Sequence, residues 1–232
     1  MSGLDSALLA NALAETREAL DAAAARAGRG AGEVEVVVAG KYIAPEGAPA
    51  LVEAGVRTVG ENRLQDLLAK REQVGDALVF DFIGHLQRRK VRDVLPLTRL
   101  IHSVDSTRLA AEIAHRAEGP TRVLVECNVA EEPTKGGIVT SEIPAFIEEI
   151  SVHPDIVVGG LMAMPPEVAD AEDNRRHFAA VRELAEDLRR RYEGRHDLSD
   201  LSMGTSQDHL VAAEEGATIV RVGRGLIGRA ER

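Results

Sequence analysis

The sequence predicts a single-domain α/β protein: a closed (β/α)8 barrel preceded by one extra helix. Eight short runs rich in β-branched and aliphatic residues alternate with helical stretches. The length, 232 residues, is ordinary for one such barrel. The alternative is an open doubly wound sheet, but its Gly-rich fingerprint is missing from the first strand-to-helix turn, Gly40-Lys-Tyr-Ile-Ala-Pro45. Neither a linker nor an internal repeat divides the chain, so residues 1–232 read as one domain.

The first element is a helix from Leu4 to about Ala27, with Leu8, Leu9, Leu13 and Leu20 near helical spacing and Gly28 to Gly32 as its stop. Strand one is the apolar run Val34 to Ala39, and a helix near Glu46 to Ala54 follows. Strand two is Thr58-Val59, before a helix from Leu64 to Gln73. Strand three spans Leu78 to Ile83 ahead of a basic helix from Leu86, and strand four, Leu100 to His102, leads into a helix from Ser106 to Ala117. The long run Arg122 to Val129 is strand five, with a helix near Ser141 to Ile150 behind it. Strand six is Ile156 to Gly159, followed by the long helix Glu172 to Tyr192. Strand Leu201-Ser202, helix Gln207 to Glu215 and strand Thr218 to Val222 complete the eight.

Composition narrows the function. Hydrophobic residues at 44% and charged residues at 28% describe a soluble globular protein, and the lack of Trp indicates an aliphatic core. A formal net charge of −10 argues against nucleic acid as the main partner, because counterion release needs a basic surface. The basic run Gln87-Arg-Arg-Lys-Val-Arg92 suits a solvated helix face, an anion or an acidic partner. A single cysteine, Cys127, rules out an intramolecular disulfide and suits core packing in a reducing compartment. No apolar run approaches the roughly 18 residues of a membrane span, and the N-terminus lacks the look of a signal peptide, so a cytoplasmic location is expected. His153, His177, His196 and His209 lack metal-ligand spacing, and surface or capping roles are expected of them.

In a barrel the loops after the strands share one face, so polar residues at the strand ends become neighbours. They are Lys41, then Glu61 and Asn62, His85, Ser103, Asn128, Met162, Ser202-Met-Gly-Thr-Ser206 and Arg221-Val-Gly223. Lys41 is one of four lysines. Its position suits a Schiff-base amine whose burial favours the neutral nucleophile, and equally a lysine that snorkels to the rim. Ser206 suits a phosphate at the start of a helix or an ordinary N-cap, and Gly223 either an anion's close approach or a turn. Arg221 alternates with Val220 and Val222, which points it into the barrel, where it needs a ligand or an acid such as Glu61 or Glu126.

Together these segments resemble the pyridoxal phosphate homeostasis proteins. The resemblance rests on Ala39-Gly-Lys41, Gly60-Glu-Asn62, Phe82-Ile-Gly-His-Leu-Gln87, Ile101-His-Ser-Val-Asp105, Gly160-Leu-Met162, Leu201-Ser-Met-Gly204 and Val220-Arg-Val-Gly223, in register over nearly the whole chain. It implies a barrel similar to the amino-terminal domain of alanine racemase, fold type III among pyridoxal-phosphate proteins, with pyridoxal 5′-phosphate as a Schiff base on Lys41. It also implies that Ser202, Met203, Gly204, Thr205, Ser206 and Gly223 line the phosphate site, that Arg221 faces the pyridine nitrogen, and that Asn62 and His85 lie beside the ring. The chain departs from the family at Arg63, often Tyr, at Thr205, often Met, and at Arg224, often a small hydroxyl residue. Arg224 either strengthens the phosphate site or points away.

A guanidinium only donates hydrogen bonds, so a ring nitrogen facing Arg221 must accept and stay unprotonated, which makes a weak electron sink. Racemisation needs a proton donor or acceptor on each face, and in alanine racemases the second base is a tyrosine from another domain of the partner subunit. Nine residues follow Gly223, so that domain is expected to be missing, with neither Tyr42 nor Tyr192 replacing it. The expected function is therefore a monomeric, non-catalytic carrier that holds pyridoxal 5′-phosphate and serves apo-enzymes that need it. The alternatives are a low-activity amino-acid racemase and a barrel for some other phosphorylated metabolite. Lys135, in the loop Glu131 to Gly137, reads as a second amine for transimination or as a solvated loop lysine.

Overall fold

The computed structural model describes residues 4–132 and 136–230. Its strands are β1 Glu35–Ala39, β2 Thr58–Glu61, β3 Val79–Phe82, β4 Leu100–Val104, β5 Thr121–Asn128, β6 Ile138–Val139, β7 Ile156–Ala163, β8 Asp200–Thr205 and β9 Ile219–Val222. All pair in parallel, β4 joins β5, and β9 returns to β1 through the register Val37↔Arg221, so eight strands close a barrel. The two-residue β6 flanks β5 through Cys127↔Ile138 and lies outside that ring. The helices are α1 Ser6–Arg26, α2 Ala48–Glu53, α3 Leu64–Val74, α4 Val91–Val94, α5 Thr107–Arg116, α6 Ile143–Ile150, α7 Arg175–Arg191, α8 His209–Glu214 and α9 Arg224–Ile227. One follows each barrel strand, and α1 precedes them all, as the alternation predicts.

The Asp5 carboxylate accepts the amides of Ala7 and Leu8 at 2.9 and 3.0 Å, which caps the free N–H groups at the start of α1. Leu9, Leu13 and Leu20 are buried at helical spacing, each contributing about 1.5–3 kcal/mol, whereas Leu8 faces solvent and leaves the expected stripe. Several strands run past their expected ends: β2 to Glu61, β4 to Val104, β7 to Ala163 and β8 to Thr205. The reason is common to all of them. Their C-terminal halves carry small or polar residues, such as Gly60, His102, Gly160 and Ser202, which end an apolar run without ending a strand. At Gly160 a Cβ would sit 1.8 Å from the Asp200 carbonyl oxygen, so glycine lets β7 and β8 approach.

The basic helix expected from Leu86 is a broken segment instead. It consists of a 3₁₀ turn Arg88–Lys90, the single turn α4 and a second 3₁₀ turn Leu95–Leu97 centred on Pro96. Inside the barrel Val37, Leu100, Leu124, Met162 and Ile219 form a small apolar cluster, while a larger one fills the layer between strands and helices. Cys127 packs in that layer, where burial pushes its thiol pKa up. His196 is also buried rather than superficial: its Nε2 lies 2.8 Å from Ser151 Oγ, and its Nδ1 accepts the Val158 amide at 3.3 Å. Burial, helped by Arg195, pulls its pKa down to about 4.

Candidate functional site

Lys41 leaves β1 in a 3₁₀ turn, Gly40–Tyr42, at the end of the barrel where the strand-to-helix loops gather. It is exposed, not buried, with Nζ 5.0 Å from the centroid of the Tyr42 ring. The burial expected of it is therefore not found. Beneath the turn, a Cβ on Gly40 would fall 2.0 Å from Glu61 Oε1, so only glycine fits over that carboxyl. Glu61 pairs with neither Arg221 nor any other arginine among the described residues: its partner is Lys70 on α3, 2.8 Å away, and both side chains are buried. Burial raises the Glu61 pKa, and Lys70 opposes the shift.

Asn62 stands at the end of β2 with its buried Oδ1 lacking a hydrogen-bond partner. His85 is largely exposed, 3.6 Å from Asp105, and Glu126 next to Asp105 has its pKa raised by burial and then by that second carboxylate. Two of the strand-end residues are engaged by main-chain groups. The Ser103 hydroxyl donates to the Gly84 carbonyl at 2.6 Å, and the Asn128 side chain closes the following loop by donating to the Glu132 carbonyl and accepting the Glu132 amide. Lys135 lies outside the described residues.

The segment after β8 is tied together by acceptors of its own. Thr205 donates its amide and hydroxyl to Asp208, at 2.7 and 3.1 Å, and Asn174 holds the other Asp208 oxygen at 2.9 Å. Ser206 does not cap α8, which begins at His209. Its Oγ instead accepts the amides of Gly223 and Gly225, both at 3.2 Å, and so cross-links the loops after β8 and β9. Met203 packs its side chain into the strand–helix layer, so only its main chain can face a ligand. Gly204 adopts φ 92° with Ala212 2.6 Å from the place of a Cβ, and a Cβ on Gly223 would meet the Tyr42 ring at 2.7 Å. Arg224 points at that tyrosine, its Nη2 3.5 Å from the hydroxyl. The hydrogen bond from Arg224, with help from Lys41, lowers the Tyr42 pKa.

Arg221 points into the barrel, as its alternation predicts, but carbonyls and a hydroxyl meet it rather than an acid. Nη1 donates to Ser202 O at 2.6 Å and Ser202 Oγ at 2.5 Å, and Nη2 donates to Ala163 O at 2.9 Å. Burial lowers its pKa to about 10, against the pull of Asp208 and Glu126. Behind Ser202 lie groups the sequence reading passed over. His102 Nδ1 is 2.9 Å from Ser202 Oγ and its Nε2 is 3.2 Å from Asp81, which Arg99 clamps with two hydrogen bonds of 3.0 and 2.6 Å. Their signal was a polar residue inside each apolar strand, Val79-Phe-Asp-Phe82 and Leu100-Ile-His-Ser-Val104. Among the described residues no group of three or more His, Cys, Asp or Glu side chains is placed to hold a metal.

An accessible primary amine, a buried guanidinium and two glycine loops gather at this mouth of the barrel, with the amides of Thr205, Gly223 and Gly225 held by Asp208 and Ser206. Residues 14–231 match the family described as the alanine racemase N-terminal domain. The pyridoxal phosphate homeostasis protein of Aquifex aeolicus is 40% identical over 220 residues, which cover 93% of this chain and 96% of that protein.

The chain belongs to the pyridoxal phosphate homeostasis protein family. A second family member, from Pseudomonas aeruginosa, is 34% identical over 95% of this chain and 93% of its own length. The family barrel also matches PipY of Synechococcus elongatus, solved with pyridoxal phosphate bound, at a TM-score of 0.81 and 28% identity, covering 95% of this chain and all of PipY. An alanine racemase of Clostridium difficile, 17% identical, shares the fold at a TM-score of 0.68 over 84% of this chain and 52% of its own.

Proposed function

We propose that this chain binds pyridoxal 5′-phosphate, holds it covalently through Lys41, and carries and buffers the cofactor rather than turning over a substrate. The observation that carries the reading is Lys41 and Arg221 at one barrel mouth, an amine at the rim and an arginine fork inside, with the cross-linked glycine loops between strands β8 and β9 and their helices. Two features support the fit: the unpartnered Asn62 Oδ1 and the N–H groups of Arg221 that find no acceptor among the described residues. Family membership and the PipY complex support this choice of ligand.

In this reading Gly204, Thr205, Ser206 and Gly223 hold the phosphate, Met203 contributes its main chain alone, and Ser202 supports Arg221. Asn62 and His85 flank the ring. When bound, the cofactor supplies an electrophilic aldehyde and an electron-accepting ring. Arg221 can only donate, so it favours an unprotonated ring nitrogen and a poor sink for α-carbon electrons. A single domain, a monomeric cytoplasmic protein and transfer to apo-enzymes belong to the same reading. No described helix is long and apolar enough to cross a membrane.

The protein mixed with pyridoxal 5′-phosphate is expected to gain visible absorbance, to be fixed by borohydride, and to yield the modified peptide at Lys41. Lys41→Ala is expected to lose the covalent bond. A wild-type protein that stays colourless with added cofactor rejects the reading. Tyr42 beside Lys41 gives the racemase alternative a specific footing. Deuterium from heavy water entering the α-position of an amino acid, with loss in Tyr42→Phe, would support that alternative instead.

A further inference from the structure

We propose that His102 and Asp81 are positioning residues: they hold Arg221 towards the ligand through a hydrogen-bond relay that runs in one direction across the barrel interior. The inference deepens the pyridoxal-phosphate reading and rests on it for the identity of the ligand. Its direction is set by its two ends, because a guanidinium can only donate and a carboxylate can only accept. Arg221 Nη1 donates to Ser202 Oγ at 2.5 Å. The Ser202 hydrogen then goes to His102 Nδ1 at 2.9 Å, and His102 Nε2–H goes to Asp81 Oδ2 at 3.2 Å. This order selects the Nε2–H tautomer of a neutral imidazole.

Ser202, His102 and Asp81 are all 0% exposed, so no bulk water can replace a missing partner. Arg99 keeps Asp81 an acceptor and is itself anchored on Glu35 at 3.0 Å. Burial lowers the His102 pKa against the pull of Asp81, and burial's upward push on Asp81 is overcome by the hydrogen bonds from His102 and Arg99. Both shifts suit a neutral imidazole beside an ionised carboxylate.

The relay has a consequence for the ligand. Nη1 spends both hydrogens on Ser202 and Nη2 spends one on Ala163, which leaves the Nε–H and one Nη2–H without a protein acceptor among the described residues. The guanidinium is planar, so fixing Nη1 fixes the plane in which these two donors point. Their aim is then set by His102 before any ligand arrives, a case of pre-organisation.

The first test needs neither variant nor ligand: long-range ¹H–¹⁵N spectra of the wild-type protein are expected to show His102 protonated on Nε2. Protonation on Nδ1, or a mixture of tautomers, overturns the relay. The second compares His102→Leu with His102→Asn, whose side-chain oxygen can stand near the place of Nδ1. The Leu variant is expected to bind pyridoxal 5′-phosphate about tenfold more weakly, near the effect of one hydrogen bond. It is also expected to move the ring-nitrogen resonance of ¹⁵N-labelled cofactor, with the Asn variant staying closer to wild type. Unchanged affinity and ring resonance in the Leu variant would show His102 to be structural only. A wild type that does not bind the cofactor rejects the functional reading while the tautomer still decides the relay, and a Leu variant that fails to fold leaves the tautomer and the Asn variant as the deciding measurements.

Discussion

The buried pair of Glu61 and Lys70 is the most consequential local feature outside the barrel interior. Both charges are out of water, 2.8 Å apart, directly under the turn that carries Lys41. Removing one partner of such a pair leaves an uncompensated buried charge at a cost of about 3–5 kcal/mol, while replacing both is far milder. Lys70→Met is therefore expected to lower the free energy of unfolding by about that amount in urea titrations, and Glu61→Gln added to it is expected to restore a large part. Equal stability of Lys70→Met and wild type would contradict the pairing. Because Gly40 rests against Glu61, the single mutation is also expected to weaken retention of pyridoxal 5′-phosphate at Lys41.

At the scale of elements, two contacts hold the architecture in place. Leu13 is 1% exposed at the middle of α1, the helix that precedes the barrel and packs along α8 and α2. Leu13→Ala is expected to cost about 2–5 kcal/mol, read as a lower urea midpoint with an unchanged slope. The close approach of β7 and β8 at Gly160 leaves no room for a methyl group, and the obstructing atom is main chain. Gly160→Ala is expected to cost about 1–3 kcal/mol or more through strand displacement, visible as a lower thermal midpoint. Since β7 and β8 carry Ala163 and Ser202, both of which accept from Arg221, the same change is expected to reduce affinity for the cofactor.

For the whole molecule, pH is the informative variable. The His196 pKa is about 4 in the folded state, against roughly 6.5 for an unperturbed histidine. Between those values the unfolded chain binds a proton that the folded chain refuses. The stability contributed is complete above about pH 6.5 and is lost as pH falls towards about 4. His102 and His209 shift in the same direction. Thermal midpoints measured across this window are expected to fall on acidification, and His196→Gln is expected to flatten the slope. A slope identical to wild type would show that His196 titrates normally in the fold.

Local order in the chain is enough to foretell the alternation of strands and helices, the leading helix and the inward face of Arg221, because periodicity and turn chemistry act over a few residues. Lys41, Asn62, Gly204, Ser206 and Gly223 were legible as strand-end residues for the same reason, since a closed barrel must bring those ends together. What each side chain meets was not legible. The exposure of Lys41, the pairing of Glu61 with Lys70, and the use of the Ser206 hydroxyl to join two loops depend on closure of the ring. So does the path from Arg221 through Ser202 and His102 to Asp81, which draws on β9, β8, β4 and β3. Hydrogen bonds and burial are set by distances of a few ångströms between residues far apart in the chain, 100 positions for His102 and Ser202, and only the packed barrel determines those distances.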